Sequence, residues 1–194
     1  MPRSTTEVVG GVANWYYAPT ATPTTGLTGA SGTFVAYNGV WPTGWIGNFY
    51  TQDGVTLEEN KNVETWRVEE ESNDINTFLD SRTMQLTMNV AQDTIDMRKL
   101  GLGGGTITTT AAGASQIGKK TLLLSDSLDA VMVGVEALNS AGFVDRWIFP
   151  NVKSVGNFGH SYRRSQYRIT PVTFKIIGSV ADIIHVSQTA IASA

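Results

Sequence analysis

The fold of this chain is decided by a stretch near its middle, Met84-Gln85-Leu86-Thr87-Met88-Asn89-Val90. Apolar and polar residues alternate strictly along this stretch. A period of two is typical of a β-strand with one buried face and one face in contact with solvent or a partner. The pattern therefore predicts a strand over residues 83–90, with its core face formed by Met84, Leu86, Met88 and Val90.

A short helix is predicted directly after this strand, from Thr94 to Leu100. Asp93 is expected to cap it, because a side-chain oxygen at that point accepts hydrogen bonds from the free amides of the first turn. Arg98 and Lys99 fall in the last turn, where the helix dipole favours positive charge. Gly101 is expected to end the helix in the left-handed conformation, which glycine adopts without strain.

The composition favours a mainly β fold in a single domain, residues 1–194. Of the 194 residues, 41% are hydrophobic and 20 are glycine, threonine is frequent, and long helical patterns are few. The absence of cysteine excludes disulfides, thiol nucleophiles and cysteine-based zinc sites, and it suits a reducing cytoplasm. No run of about 18 apolar residues is present, so neither a transmembrane helix nor a membrane partner is expected.

Several further strands are predicted after the helix. Thr106–Thr110 and Lys120–Leu124 flank a turn rich in Ala, Gly and Ser, and they are expected to pair as a hairpin. The frequent valines of Ala130–Leu138 favour a strand, although its apolar residues also fit one face of a helix. Phe143–Phe149 and Tyr167–Ile177 are predicted as late strands.

Residues 1–33 are expected to form an N-terminal arm. Within it, residues 18–33 are a tract of Ala, Pro, Thr, Gly and Ser. Such a tract cannot by itself bury enough apolar surface to offset the entropy lost on ordering. It is therefore either a flexible linker or an arm that orders against a neighbouring subunit.

Short segments accompany the alternating strand and the helix in a fixed order. They are Gly44–Gly47, Asp53–Leu57, Val63–Trp66, Asp145–Val152 and Tyr167–Lys175. Together with the strand and the helix, this order resembles that of the major tail tube proteins of bacteriophages with long, non-contractile tails, the siphovirus type. The resemblance covers residues 44–178 and leaves both ends of the chain outside it.

The resemblance implies a structural virion protein with no enzymatic activity and no cofactor. The family's fold is a β-sandwich or barrel with one short flanking helix. Its copies close into hexameric rings, which stack into a hollow tail tube around the tape-measure protein and later conduct DNA into the host. The implied partners are other copies of the chain, the tape-measure protein, and the tail terminator and tail-tip proteins. DNA passes through the lumen without specific binding, and assembly takes place in the host bacterial cytoplasm.

Candidate contacts between subunits come from charge and position. By position in the resembled family, residues 69–81 are expected to form a projecting loop that contacts the next ring. The carboxylates at its start are Glu69, Glu70, Glu71 and Asp74. A small basic group is the preferred partner of this acidic patch, and it consists of Arg163, Arg164 and Arg168. The alternatives are an ordinary solvated loop and a nucleic-acid contact for the arginines.

Charge is also divided unevenly between the two halves of the chain. Residues 1–98 hold 5 basic and 12 acidic side chains, whereas residues 99–194 hold 9 basic and 5 acidic ones. Two halves of opposite charge can attract copies of the chain head to tail. The alternative is that both halves are simply solvated surface.

No catalytic or metal-binding constellation emerges from the sequence. The glycine run 101–105 follows a predicted helix, whereas a phosphate-binding glycine loop precedes one. Only His160 and His185 are present, without a nucleophile elbow or the spacing of a histidine metal site. The expectation is therefore no enzyme, no metal and no cofactor.

Two other functions fit parts of the sequence. A loop that carries Trp41 and Trp45 could stack on sugars in a carbohydrate- or receptor-binding domain, although such tryptophans more often anchor the packing of a loop. A capsid or decoration protein would share the β-rich composition. A tail tube subunit is expected to form hexamers or filaments as its concentration rises, and a binding domain is expected to form a stable small oligomer. A decoration protein is expected to bind preformed capsids and not to polymerise alone.

Overall fold

The computed structural model describes residues 13–20, 41, 43–47, 49–66, 76–138, 144–159, 168–179 and 182–187. Within these ranges the chain forms ten strands and one short helix. The strands are β1 Asn14–Pro19, β2 Ile46–Gly47, β3 Thr51–Trp66, β4 Asn76–Val90, β5 Thr106–Thr110, β6 Lys119–Leu123, β7 Ala130–Leu138, β8 Val144–Ser154, β9 Thr170–Ile176 and β10 Ile184–Ser187, and the helix is α1 Ile95–Gly101. The prediction of a mainly β fold with one short helix is confirmed.

Eight of the described strands form one antiparallel sheet. Its order is β2-β1-β7-β8-β9-β4-β3, with β10 paired to β8 beside β9. The remaining two strands, β5 and β6, pair only with each other among the described strands and form a separate hairpin. The predicted hairpin is thus confirmed, with its second strand starting one residue earlier, and residues 130–138 form a strand rather than a helix.

One hydrophobic core joins strands that lie far apart in the sheet. Trp15 of β1 and Leu86 of β4 belong to the same cluster of buried residues, although three strands separate β1 from β4. Phe149, Phe174 and the helix residue Met97 complete the centre of this cluster. The sheet therefore curves so that a single face encloses the core, and α1 packs against it.

The alternating stretch has the two faces that its pattern predicts. Leu86, only 1% exposed, lies between Leu57 on β3 and Phe174 on β9. Thr87, the next residue, is exposed on the opposite face. The other core residues of the prediction are also buried, and they are Met84, Met88 and Val90.

The helix forms at the predicted place, but its ends differ from the prediction. Thr94 rather than Asp93 is the N-cap, and its hydroxyl accepts a hydrogen bond from the Met97 amide at 3.3 Å. The prediction of Asp93 as the cap is wrong, because its carboxylate accepts two hydrogen bonds from the guanidinium of Arg98, at 2.7 and 2.6 Å.

The predicted stop at Gly101 is also wrong. Gly101 is the last helical residue, and a Cβ there would lie 2.6 Å from the ring of Phe158. The left-handed residue is Gly103, with φ at 86°. Its amide and that of Gly104 donate to the carbonyls of Leu100 and Lys99, a pairing known as the Schellman motif.

Part of the predicted N-terminal arm belongs to the body of the protein. Residues 14–19 form β1, which pairs with β7 and places the fully buried Trp15 in the core. The prediction of an arm over residues 1–33 is therefore wrong for this strand. Residues 1–12 and 21–33 lie outside the described residues.

Candidate interaction surface

The paired strands β3 and β4 extend well beyond the core. Near Leu57 and Leu86 they belong to the curved sheet. Farther along, every described side chain of residues 58–65 and 76–82 is exposed. The buried residue Met84 marks the boundary between this part and the core. We call these two segments the distal ribbon. Because both of its faces contact solvent, the distal ribbon projects from the sheet.

A bulge sets which side chains face each other in the distal ribbon. Asn62 pairs with Ser81, but the next residue, Val63, pairs with Leu79, so Asp80 is an extra residue on β4. The amide nitrogen of the Asn62 side chain donates to Asp80 Oδ2 at 2.9 Å. Without the extra residue, Asp80 would lie opposite Val63, since side chains alternate along a strand. The bulge thus creates an exposed apolar pair, Val63 at 46% and Leu79 at 55% exposure.

The other face of the distal ribbon combines an aromatic ring with free carboxylates. Phe78, 50% exposed, lies directly opposite Glu64. Glu58 lies on the same face of β3, six residues before Glu64. Neither glutamate makes an ion pair with a described residue. This face is therefore negative and partly apolar.

The Val63 face of the ribbon carries one carboxylate, Glu59, and two cations, Lys61 and Arg82. The Glu59 carboxylate lies 3.3 Å from Lys61 Nζ and also forms an ion pair with Arg82. Because these pairs are exposed, each contributes little to stability. The negative charge of the ribbon is therefore concentrated on the face of Glu58, Glu64 and Phe78.

The hairpin of β5 and β6 is a second projection. Residues 106–124 contain two lysines, Lys119 and Lys120, and no carboxylate. Ile117 in the turn is 90% exposed, and Leu123 and Leu124 are also largely exposed. Lys120 lies 3.4 Å from Asp96 of α1, whereas Lys119 makes no ion pair with a described residue. The hairpin is therefore basic and carries exposed apolar side chains.

The structure describes only part of the candidate sites that the sequence indicates. Residues 69–75 lie outside the described ranges, and with them Glu69, Glu70, Glu71 and Asp74. The end of the predicted loop, residues 76–81, is strand β4 rather than a loop. Arg163 and Arg164 also lie outside the described ranges. Arg168 is exposed, and its Nη1 donates to Asp93 Oδ2 at 3.1 Å.

The two loop tryptophans act as packing anchors, as predicted. The Trp41 ring stacks on Tyr16 at 4.1 Å and lies 4.8 Å from the ring of Trp45. Its Nε1 donates to Glu136 Oε2 at 3.2 Å. Gly134 makes room for the ring, because a Cβ there would lie 2.6 Å from Trp41 Cζ3. The contacts of Trp41 are thus made to its own chain.

A buried ion pair lies beneath these tryptophans. Arg146 is fully buried, and its Nε donates to Glu136 Oε2 at 2.5 Å. The Arg146 guanidinium carbon is also 5.4 Å from the centre of the Trp41 ring. Burial, and then the negative charge of Glu136, raise the pKa of the Tyr16 hydroxyl above its ordinary value of 10.0. A closed arrangement of this kind fixes the positions of strands and offers no open site for a substrate.

A cavity of about 570 Å³ lies between α1 and the sheet. Tyr17, Leu100 and Phe174 form part of its apolar lining, and Asp96 is one of its charged groups. Burial, and then the charge of Asp96, raise the pKa of Tyr17 to about 12, so this hydroxyl is a poor acid near neutral pH. Among the described residues that line the cavity there is no histidine.

The late histidine is a surface residue with defined partners. His185 Nε2 lies 2.7 Å from Asp145 Oδ1, and its ring stacks on Trp147 at 4.0 Å. His160 lies outside the described residues. Across the described ranges, no three His, Cys, Asp or Glu side chains are grouped so as to hold a metal ion.

Comparisons with known proteins do not place the chain in a family. No family model matches the sequence, and no curated protein matches it either. Within the described ranges, no helix has the length and apolar character needed to cross a membrane. Function is therefore argued from the surfaces described above.

Proposed function

We propose that this protein is a structural subunit that polymerises with copies of itself, as the tail tube proteins it resembles do. Copies close into hexameric rings by pairing strand edges, and the rings stack into a hollow tube. The tube belongs to the tail of a virion assembled in the host cytoplasm. It encloses the tape-measure protein, contacts the terminator and tip proteins at its ends, and later conducts DNA.

The distal ribbon is the observation that carries this proposal. A two-stranded ribbon with both faces in water is marginally stable, because it buries almost no apolar surface. This one nevertheless exposes Val63, Phe78 and Leu79. Covering these side chains with another subunit removes apolar surface from water and stabilises the ribbon.

Strand edges supply the second support. β3 is the last strand at one end of the sheet, and among the described strands it pairs with β4 alone. Its outer edge presents backbone donors and acceptors over a 16-residue strand. At the other end lies the two-residue strand β2. Exposed edges of this kind promote uncontrolled aggregation unless they are covered, and closure into a ring covers them.

A negatively charged lumen is consistent with the composition. The net charge of the chain is −3, and the acidic residues concentrate in its first half. A negative wall repels the phosphates of DNA and prevents the DNA from binding as it passes. The glycan-binding alternative has weaker support, since the Trp41 ring contacts Tyr16 and Trp45.

Negative-stain electron microscopy over a concentration series tests the proposal. Rings or hollow tubes of uniform width are expected at high protein concentration. In a matched variant, an Asn-Gly turn replaces residues 61–82 and joins Asn60 to Thr83. These two residues already pair across the ribbon. The variant should fold but not form stacked rings. Monomers at every concentration of the unaltered protein would contradict the proposal, and a decoration protein would behave in that way.

A further inference from the structure

We infer that the distal ribbon of one copy docks on the β5–β6 hairpin of a neighbouring copy, with Phe78 against Ile117 and Glu64 paired with Lys119. This contact rests on the proposed self-assembly and specifies its partner surface. It involves two different surfaces of the same chain. Contacts of that type are heterologous, so each copy has one of each surface left to continue a ring or a stack.

Charge complementarity is the first argument. The distal ribbon carries Glu58 and Glu64 on one face, and neither is neutralised by a described residue. The β5–β6 hairpin has two lysines and no carboxylate over residues 106–124. Lys120 already pairs with Asp96, which leaves Lys119 as the hairpin cation without a described acidic partner. Opposite charges that stay unpaired within one copy favour a contact between copies.

Apolar exposure is the second argument. Ile117 is 90% exposed at the tip of its hairpin, and Phe78 is half exposed on the ribbon. When the two projections meet, the apolar surface of these side chains is removed from contact with water. At about 25 cal/mol per Å² of apolar area removed from water, such burial favours association.

The spacing of charged and apolar groups matches on the two surfaces. Phe78 and Glu64 are directly opposite across the ribbon, which places their Cβ atoms about 5 Å apart. Ile117 and Lys119 are two residues apart, which places their Cα atoms at most about 7 Å from each other. When Phe78 covers Ile117, the long side chain of Lys119 therefore lies within range of Glu64.

Cysteine cross-linking tests the contact directly, because the chain has no native cysteine. A Phe78→Cys copy is mixed with an Ile117→Cys copy and oxidised mildly. The expected product is a disulfide between the two variants, which increases at protein concentrations where polymers form. A Val63→Cys copy is the matched control, because it lies on the other face of the ribbon. A dominant Phe78→Cys product with itself would overturn the inference and indicate a symmetric ribbon contact.

Charge exchange provides the second test. Lys119→Glu should raise the protein concentration needed for assembly about tenfold. Adding Glu64→Lys to the same chain should restore assembly, since the pair is then reversed. Lys119→Gln and Lys120→Gln change the charge equally on opposite faces of β6, and only the first should weaken assembly. If both changes act alike, Lys119 is not in the contact.

The two proposals fail in different ways. If the unaltered protein forms tubes but Phe78→Cys and Ile117→Cys do not cross-link, the docking contact is wrong and the tube function stands. If the cross-link forms while the protein stays in small oligomers, the contact is right and the tube function is wrong. Absence of both polymer and cross-link contradicts both.

Discussion

Val63 lies directly opposite Leu79 because β4 carries one more residue, Asp80, than β3 at that point. Both side chains are about half exposed, so this apolar pair lies in a part of the molecule that has no core. A regular ladder would have placed the carboxylate of Asp80 there instead. The bulge thus turns a charged position on the ribbon into an apolar one, which suits a surface that another subunit covers.

The double change Val63→Thr and Leu79→Thr tests the role of this pair. Threonine keeps the strand propensity of the ribbon, and the sites are exposed, so the free energy of unfolding of the single subunit should change by no more than about 1 kcal/mol. Assembly should require a higher protein concentration. Thermal melting of the dilute protein and sedimentation over a concentration series measure the two effects. Assembly at an unchanged concentration would remove the pair from the interface.

Leu86→Asp should unfold the protein. Leu86 is in the centre of the core between Leu57 and Phe174, and a carboxylate there has no partner for its charge. The loss should exceed about 4 kcal/mol, which is a large part of the stability of a domain. Thr87→Asp is the matched control, because Thr87 is the adjacent residue on the exposed face. A cooperative melting curve for Leu86→Asp, like that of the control, would contradict the assignment of the two faces.

The central strand could be predicted because its burial and its sequence repeat with the same period. Residues 84–90 alternate in the sequence and in the structure. The β5–β6 hairpin was predictable for a similar reason, since strand formers stand on both sides of a segment rich in Ala, Gly and Ser, and the frequent valines of β7 favoured a strand over the helix that its pattern also allowed. Local pattern therefore determined these elements without information on distant residues.

Other features depend on contacts that the sequence does not show. Asp93 and Thr94 are both good caps by residue type, and the choice between them follows from the Arg98 guanidinium that occupies Asp93. Gly101 and Gly103 are likewise equivalent in the sequence, but Phe158 packs where a Gly101 side chain would be. The bulge at Asp80 is a matter of register between two strands, and a strand of exposed polar residues leaves that register unspecified.

Gly134→Ala should loosen the tryptophan cluster. A Cβ at this position would lie 2.6 Å from Trp41 Cζ3, so the ring must move away from Tyr16 and Glu136. Overpacking of this kind costs about 1–3 kcal/mol. Thermal melting should show the loss, and tryptophan fluorescence should shift toward that of a more exposed ring.

Gly159→Ala is the control for that experiment. No heavy atom lies within 4 Å of a Cβ built at Gly159, and its φ is not in the left-handed range. It should melt at the same temperature as the unaltered protein. Equal effects of the two changes would show that Trp41 does not depend on the space at Gly134.

Stability at alkaline pH should depend on Tyr17. Its pKa is about 12 in the folded protein against 10.0 for a free tyrosine, so below pH 10 both folded and unfolded chains keep the proton. Between pH 10 and 12 the unfolded chain releases the proton and the folded chain does not, and the free energy of unfolding falls as the pH rises. Because the ring is only half buried, we expect this loss to be about 1 kcal/mol. Tyr17→Phe should remove it, whereas Tyr50→Phe, which alters an exposed ring, should not. Urea unfolding at pH 9, 10, 11 and 12 measures the difference. If the free energy of unfolding changes with pH in the same way for the unaltered protein and for Tyr17→Phe, the pKa of Tyr17 is not raised by folding.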